Sequence, residues 1–386
     1  MRKYLVFISL LFCAFFKSEM VAAQAQTRTV VKNQEGTEFW LCFQKNYRDN
    51  NPKDQSDPLN LELFITGNND ANVTVEIEGL GFKREFLVRL GTVYNLKIDP
   101  RAQISSEERP ERLAVHVTSD VPVSVYGLNH RFQTTDTYLG LPVSVLGTSY
   151  RAVSYRKLAG DLLSQIAVIA TEDSTEVTIT PTSATSGMKA ANRPFKVNLR
   201  KGDVYQIVAR FDPLTISELT GTLVTANKKI AVFSGHNCAY VPSRVDACNH
   251  LIEQLPPVSS WGKHFYVGQF KDRSRYTLRV VASEPKTKIF EDTRLVAVLN
   301  AGEFYENTNA RTHMQITADN PVLVAQYSQG FRNGDSVGDP MMLLISPSQQ
   351  YVHEYRFATP ISGQWRHYVN VFVPTDYIDS LTLNGR

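Results

Sequence analysis

No run of apolar residues in this chain is long enough to cross a bilayer. The one candidate, Tyr4–Phe16, has 13 uncharged residues, short of the ~20 that a membrane helix needs. It follows Arg2 and Lys3 and precedes Ala23-Gln24-Ala25, which predicts a secretory leader cleaved after Ala25, with the bond after Ala23 as the alternative. Cys13 does not mark a lipid anchor, because Phe12 stands where that signal needs a small residue. A charge excess is lacking too. The formal charge is +3, and the leader holds three basic residues and one acidic one. The remainder is therefore nearly neutral, without the basic stripe that displaces phosphate counterions, so no nucleic-acid partner is expected.

Most local catalytic motifs are absent too. There is no His-Glu-x-x-His, phosphate-binding glycine loop or dinucleotide fingerprint. Carboxylate pairs can form between distant residues, but Glu62, Glu172 and Asp173 stand out no more than others. No enzyme, catalytic residue or cofactor is expected. Cysteine is scarce, with Cys42, Cys238 and Cys248 left after the leader. An exported chain favours a Cys238–Cys248 disulfide that closes a short loop. Cys42 sits in the alternating run Phe39–Phe43 and reads as a buried apolar residue.

What the sequence does contain is itself, several times over. Thr118-Ser-Asp-Val-Pro-Val-Ser-Val-Tyr126 returns as Thr225-Ala-Asn-Lys-Lys-Ile-Ala-Val-Phe233 and as Thr317-Ala-Asp-Asn-Pro-Val-Leu-Val324. Upstream of each stands Gly91-Thr-Val-Tyr94, Gly202-Asp-Val-Tyr205 or Gly302-Glu-Phe-Tyr305. Downstream, Leu141–Gly147 matches Leu255–Gly262, with a weaker copy at Ile345-Ser-Pro347. Shared order at a period of roughly 100 residues marks tandem repeats. Residues 59–160, 161–271 and 272–360 read as three repeats, preceded by a 26–58 segment of strands and an Asp/Asn-rich loop. Tyr368–Thr375 resembles Ile166–Ala170, so 361–386 reads as a partial fourth repeat.

The repeated elements alternate apolar and polar residues and are rich in Val, Thr, Tyr and Phe, which predicts an all-β fold. Leu113–Thr118 and Val121–Gly127 read as a hairpin turning at Ser119-Asp120, with the same expected at Thr225–Phe233 and Thr317–Val324. Phe195–Leu199 and Val204–Val208 read as a hairpin about Lys201-Gly202. No stretch has a sustained helical period, and Arg244–Gln254 reads as irregular loop. Each repeat divides into two halves of about four strands. A β-propeller-like ring of four-stranded meanders follows, with Thr27–Val31 and Glu38–Phe43 completing a last blade begun by Tyr368–Leu383. Tandem β-sandwiches, one per repeat, are the alternative.

Two groups of residues have the composition of ion sites, and each has a plainer reading. His236-x-Cys238 and Cys248-x-His250 present two thiols and two imidazoles, the ligand types of tetrahedral zinc. The one-residue gaps are shorter than zinc motifs use, so the disulfide is preferred. Asp49, Asn50, Asn51, Asp54, Asp57 and Asn60 offer oxygen ligands for calcium without an EF-hand pattern; a solvated loop is the plainer reading. His116 and His264 read as partly buried strand residues. Tyr47, Phe132, Tyr138 and Tyr240 fall in loops, where aromatics serve either packing or recognition.

Several segments together resemble the N-terminal domain family of IgGFc-binding proteins, found in large mucin-associated animal proteins and in bacterial exported proteins. They are Gly36-Thr-Glu-Phe-Trp40, Val121–Asn129, Asp136–Pro142, Leu219-Thr-Gly-Thr222, Ile230–Cys238, Cys248–Pro257 and Trp261-Gly262. The resemblance implies an extracellular binding or adhesion role, and supplies no residue-level contact motif, so ligand-binding residues stay unassigned. The expectation is an exported, secreted or cell-surface protein that binds an extracellular protein or glycan, with immunoglobulin Fc as one candidate. The alternatives are a structural envelope component and a polysaccharide-directed hydrolase.

Overall fold

The computed structural model describes residues 35–47, 57–156, 160–212, 217–355, 357–359 and 365–382. The leader, Thr27–Val31 and Asp49, Asn50, Asn51 and Asp54 of the acidic loop lie outside the described residues.

The fold is all-β, with tandem repetition. Among the described residues, twenty-one strands form three antiparallel sheets of seven. The first unit holds β1 (Gly36–Leu41), β2 (Asn60–Gly67), β3 (Ala71–Ile77), β4 (Phe82–Val88), β5 (Tyr94–Ile98), β6 (Val115–Arg131) and β7 (Thr134–Leu139). The second holds β8 (Gly147–Arg151), β9 (Ser164–Ala170), β10 (Thr175–Thr180), β11 (Phe195–Leu199), β12 (Val204–Val208), β13 (Leu223–Tyr240) and β14 (Cys248–Gln254). The third holds β15 (Gly262–Val267), β16 (Tyr276–Ala282), β17 (Thr287–Glu291), β18 (Arg294–Leu299), β19 (Phe304–Ala310), β20 (Met314–Ser328) and β21 (Met341–Ile345). The order is the same in all three: β4-β3-β6-β2-β5, β11-β10-β13-β9-β12 and β18-β17-β20-β16-β19, with the first and seventh strands also on the sixth. Each sheet therefore opens one strand upstream of the repeat boundaries drawn on the sequence.

The sixth strand organises each unit. The first part of β6 pairs with β1 and β3, and the later part with β2 and β7. One bent strand thus serves two four-stranded layers, a known way of turning a sandwich corner. The halves drawn on the sequence are not these layers: β2 to β5 divide between the two, residues 113–118 and 121–127 fall in the one strand β6, and β8 belongs to the next sheet. Consecutive strands do not form meanders, and the sandwich-per-repeat alternative describes each unit better than a propeller blade. The expected hairpins at Ser119-Asp120, Thr225–Phe233 and Thr317–Val324 are instead single strands at their bends. The acidic or amide residue there does other work. Asp120 accepts from the Asn72 N–H, Asn227 from Glu176 N–H and Asp319 from Lys288 N–H. In each unit it closes the start of the third strand across the bend.

Three further expectations change. Phe195–Leu199 and Val204–Val208 are strands β11 and β12, and Gly202 takes the positive φ of +79° that their turn needs. They nevertheless lie on opposite edges of the sheet, because β11 pairs with β10 and β12 with β9. Glu38–Phe43 does not complete a last blade, because β1 pairs with β6 of the first unit. Arg244–Gln254 becomes β14 from Cys248 onward.

Apolar alternation forms the cores. In β3 every second residue is buried, as a strand with one inward face requires. The second strands differ: β9 and β16 are buried throughout, the mark of a strand covered on both faces. The added cover is the neighbouring unit. Ala167, Ile169, Ala231, Phe233 and Ile252 of the second unit join the first unit's core. Val281, Leu323, Ala325, Tyr327 and Met342 of the third join the second's. Gly36, Gly147 and Gly262 open the first strands, where a Cβ would overlap Pro142, Pro257 and Pro347, the prolines that lead into the next unit.

Candidate functional site

The turns between sixth and seventh strands differ most among the units, and they gather in one place. In the first unit the turn is only Phe132-Gln133. In the second it runs 241–247 and is closed at its base by the Cys238–Cys248 disulfide. In the third it spans 329–340. The seventh strands β7, β14 and β21 lie side by side, which brings the three turns together.

Asn249 holds the group. Its Oδ1 accepts from Thr135 N–H at 2.6 Å, and its Nδ2 donates to the Thr135 and Pro340 carbonyls at 2.8 and 2.7 Å. One side chain thus satisfies backbone groups at the start of β7 and at the end of the third turn, which a strand edge alone would leave open. The second and third turns also meet directly. Gly330 N–H donates to Val241 O and Arg332 N–H to Asp246 O, and the Arg332 guanidinium pairs with Asp246 at 2.8 Å. Asp335 anchors the third turn. Burial opposes its ionisation, but hydrogen bonds from Ser274, Arg273 and Asn333 outweigh this and bring it down to about 2.

Under the turns lies a layer of buried titratable groups. Asp136 on β7 and Glu253 on β14 are both buried. Burial raises both well above the usual carboxylate range, and Asp136 adds to the rise at Glu253. Their oxygens accept backbone N–H groups of neighbouring strands: Ile252, Thr137 and Met342 for Asp136, Leu344 for Glu253. They stitch β7, β14 and β21 together. His236 and His250 are buried beside the disulfide, and burial lowers them to about 3 and about 4. Both are neutral at physiological pH.

The outer surface is mixed. Phe132 is 80% exposed at its turn. Phe331 is partly exposed with the Arg332 guanidinium 5.5 Å from its ring centre. Val337, Arg244 and Asp246 are exposed in the same turns. Exposed aromatics and arginine among polar groups are the composition of a protein-recognition surface.

The residues singled out in the sequence separate on this frame. Phe132 is on the surface. Tyr138 is core, its hydroxyl donating to Cys42 O. Tyr47 and Tyr240 are half-buried. Cys42 is buried, and burial raises its thiol. The two sulfurs weighed as zinc ligands are bonded to each other. Asp57 accepts from Phe132 N–H, and Asn60 begins β2. His116 is partly buried, stacked on Trp40 with ring centres 3.9 Å apart; His264 is exposed on β15 rather than partly buried. Glu172 and Asp173 lie on an exposed turn, whereas Glu62 is buried and takes a hydrogen bond from Asn95. A shallow polar concavity on the third unit is lined by Glu291, Asp292, Arg294 and Arg311. Its two carboxylates are engaged, Glu291 by Arg294, Tyr305 and Asn307 and Asp292 by Gln315 N–H. Nothing local in the sequence marks Asn249, Phe331 or Arg332; the signal for them is the position of their turns after each repeated sixth strand.

A family model described as IgGFc binding protein matches residues 136–386. The human (Homo sapiens) IgGFc-binding protein is 27% identical over 332 residues, covering 84% of this chain. The chain spans about 6% of the length of that curated relative. No solved structure matches.

Proposed function

Because the chain belongs to the IgGFc binding protein family, we propose that it is an exported binding protein whose contact surface is the cluster of three sixth–seventh turns. The observation that carries the reading is the convergence of those turns. Three units each contribute one turn, and Asn249 and the disulfide hold them in a fixed relation. A surface assembled in advance loses less conformational entropy on binding than three independent loops would. Export fits the N-terminal leader pattern and the disulfide between Cys238 and Cys248.

The ligand class is an extracellular protein or glycoprotein, with immunoglobulin Fc as the first candidate. Biolayer interferometry of residues 26–386 against IgG Fc, with Fab as control, tests this. Saturable Fc binding that Fab does not share, weakened at least tenfold by Phe132→Ala with Phe331→Ala, supports both ligand and surface. Fc binding unchanged by those substitutions removes the surface. No binding of Fc at micromolar concentration removes that ligand, and glycoproteins and glycans become the next arm.

A further inference from the structure

The third unit departs from the other two at one end of its core. The fifth residue of each third strand is Val75, Ile179 or Glu291, and all three are buried. Two residues past the shared tyrosine of each fifth strand stand Leu96, Ile207 and Asn307. Where two units place aliphatic pairs, the third places a carboxylate and an amide, and the concavity there has a volume of about 430 Å³. The strand β19 also bulges at this point. Asn307 pairs with Leu278 but Ala310 with Tyr276, so two residues of β19 stand against Thr277. Bulges re-aim side chains and recur beside functional sites. This one is fastened, because Asn309 N–H donates to Asn307 Oδ1 at 3.0 Å and Gln329 Nε2 to Thr308 O at 2.8 Å.

Glu291 forms the floor. It accepts from Asn307 Nδ2 at 2.7 Å, Arg294 Nη2 at 2.9 Å and the Tyr305 hydroxyl at 3.2 Å. Burial and the Glu291 charge push the Tyr305 hydroxyl up to about 12, so it stays a donor. A buried carboxylate needs such compensation, and an aliphatic residue in its place needs none. Stability alone would therefore favour the residues of the first two units. Asp292, Asn309 and Arg311 stand exposed around the mouth. Arg311 Nε donates to Asn309 Oδ1 at 3.2 Å, and Asp292 Oδ1 accepts from Gln315 N–H. Among the described residues the Arg311 Nη atoms and Asp292 Oδ2 make no hydrogen bond. Two carboxylates and two guanidiniums line the concavity, so it has no net charge to select an ion. It sets donors and acceptors side by side, which suits the hydroxyl group, a donor and an acceptor at once.

We propose that this end of the third unit is a binding site for one neutral sugar residue, with Arg311 and Asn309 donating to its hydroxyls and Asp292 accepting from them above the Glu291–Asn307 floor. The volume is at the small end of the range for ligand pockets, which fits a single ring rather than a chain. None of these residues belongs to the turn cluster, so the site is a second one.

Saturation-transfer difference NMR of the full chain tests this. The probes are the methyl glycosides of glucose, galactose, mannose, fucose, N-acetylglucosamine and N-acetylgalactosamine, with alanine as a zwitterionic control. The expected result is saturable transfer to at least one glycoside, with the affinity weakened at least tenfold by Arg311→Ala, an exposed change that leaves the floor in place. Glu291→Ile with Asn307→Ile, which installs the residues of the second unit, should abolish the transfer and leave the denaturation midpoint unchanged or higher. Three outcomes overturn the site: no transfer to any glycoside at millimolar concentration, transfer that both variants retain, or stronger transfer to alanine. The measurement involves neither Fc nor the turn cluster, so failure here is distinct from failure of the proposed function.

Discussion

The junction between the first and second units is apolar, and the junction between the second and third is built on a buried cation. The positions are the same. Phe233 on β13 stands opposite Ala167 on β9, and Ala325 on β20 stands opposite Arg279 on β16. The large side chain has moved to the other strand and changed its chemistry. Gly235, where a Cβ would collide with Leu251 O, becomes Tyr327. At the first junction Phe233 packs edge-on against Tyr138 at 5.2 Å. At the second, Arg279 is fully buried and donates to Glu306 at 2.7 Å and Glu218 at 2.7 Å. Its guanidinium lies 4.1 Å from the ring centre of Tyr155 and 4.6 Å from that of Phe304. Burial alone would lower the Arg279 pKa, but Glu218, Tyr327 and Glu306 hold it above its ordinary value. The difference teaches that one backbone geometry accepts either solution if volume and polarity are balanced within each junction.

Substitutions separate the two solutions. Arg279→Ala leaves Glu218 and Glu306 with Arg156 in place of two cations and opens a cavity between two rings. We expect a loss of about 4 kcal/mol, near the middle of the range for breaking a buried pair, read from chemical denaturation. Arg279→Lys should recover little, because a lysine cannot donate in a plane while stacked on aromatic faces. A loss below about 1 kcal/mol for Arg279→Ala would show that the network is ornamental. At the first junction Phe233→Ala should remove about 3 kcal/mol through lost packing, and its effect should not change with salt.

The layer beneath the turns makes a third test. Asp136 and Glu253 have raised values when folded, so between the ordinary carboxylate range and those values the folded chain holds more protons than the unfolded one. Their contribution is full in acid and is lost as pH rises. His236 and His250 are lowered, so between about 4 and about 6.5 they act in the opposite sense, and stability rises with pH. The two trends oppose each other. The carboxyl part is a decline of stability as pH rises above the ordinary carboxylate range, at most about 1.4 kcal/mol per pH unit for each proton, read from chemical denaturation across pH. Asp136→Asn with Glu253→Gln should flatten that decline, and a decline left intact would place its origin elsewhere. The smallest effect belongs to the rim of the first junction, where Arg112 bridges to Asp203 at 3.2 Å and to Glu78. Arg112→Ala should cost about 1 kcal/mol or less and should fade in salt.

Much of the frame could be read from residue order. The repeats, the strands around Val197 and Val204, the burial of Cys42 and the pairing of Cys238 with Cys248 follow from alternation, spacing and the compartment that the leader pattern predicts. The reading failed where a local signal had a distant purpose. Asp120 looks like a turn residue because Asp favours turns, yet it caps β3 from the bend of a continuous strand. Tyr138 looks like a loop aromatic because Asp136 and Thr137 precede it, yet its ring lies in the core. Arg279 interrupts an apolar strand, and nothing nearby announces the two glutamates that neutralise it.

The sequence by itself determined where the chain is extended, how often the pattern returns and which face of most strands is apolar. These depend on residues a few positions apart, because side chains alternate every two residues along a strand. The tertiary structure alone decided that β11 and β12 part company, that one bent strand serves two layers, and that three turns meet around Asn249. Those outcomes rest on contacts between residues as much as a hundred or more positions apart (Thr135 to Asn249 spans 114). They are chosen by the need to bury both faces of the second strands and to satisfy every buried backbone group, a requirement that no local window of the sequence expresses.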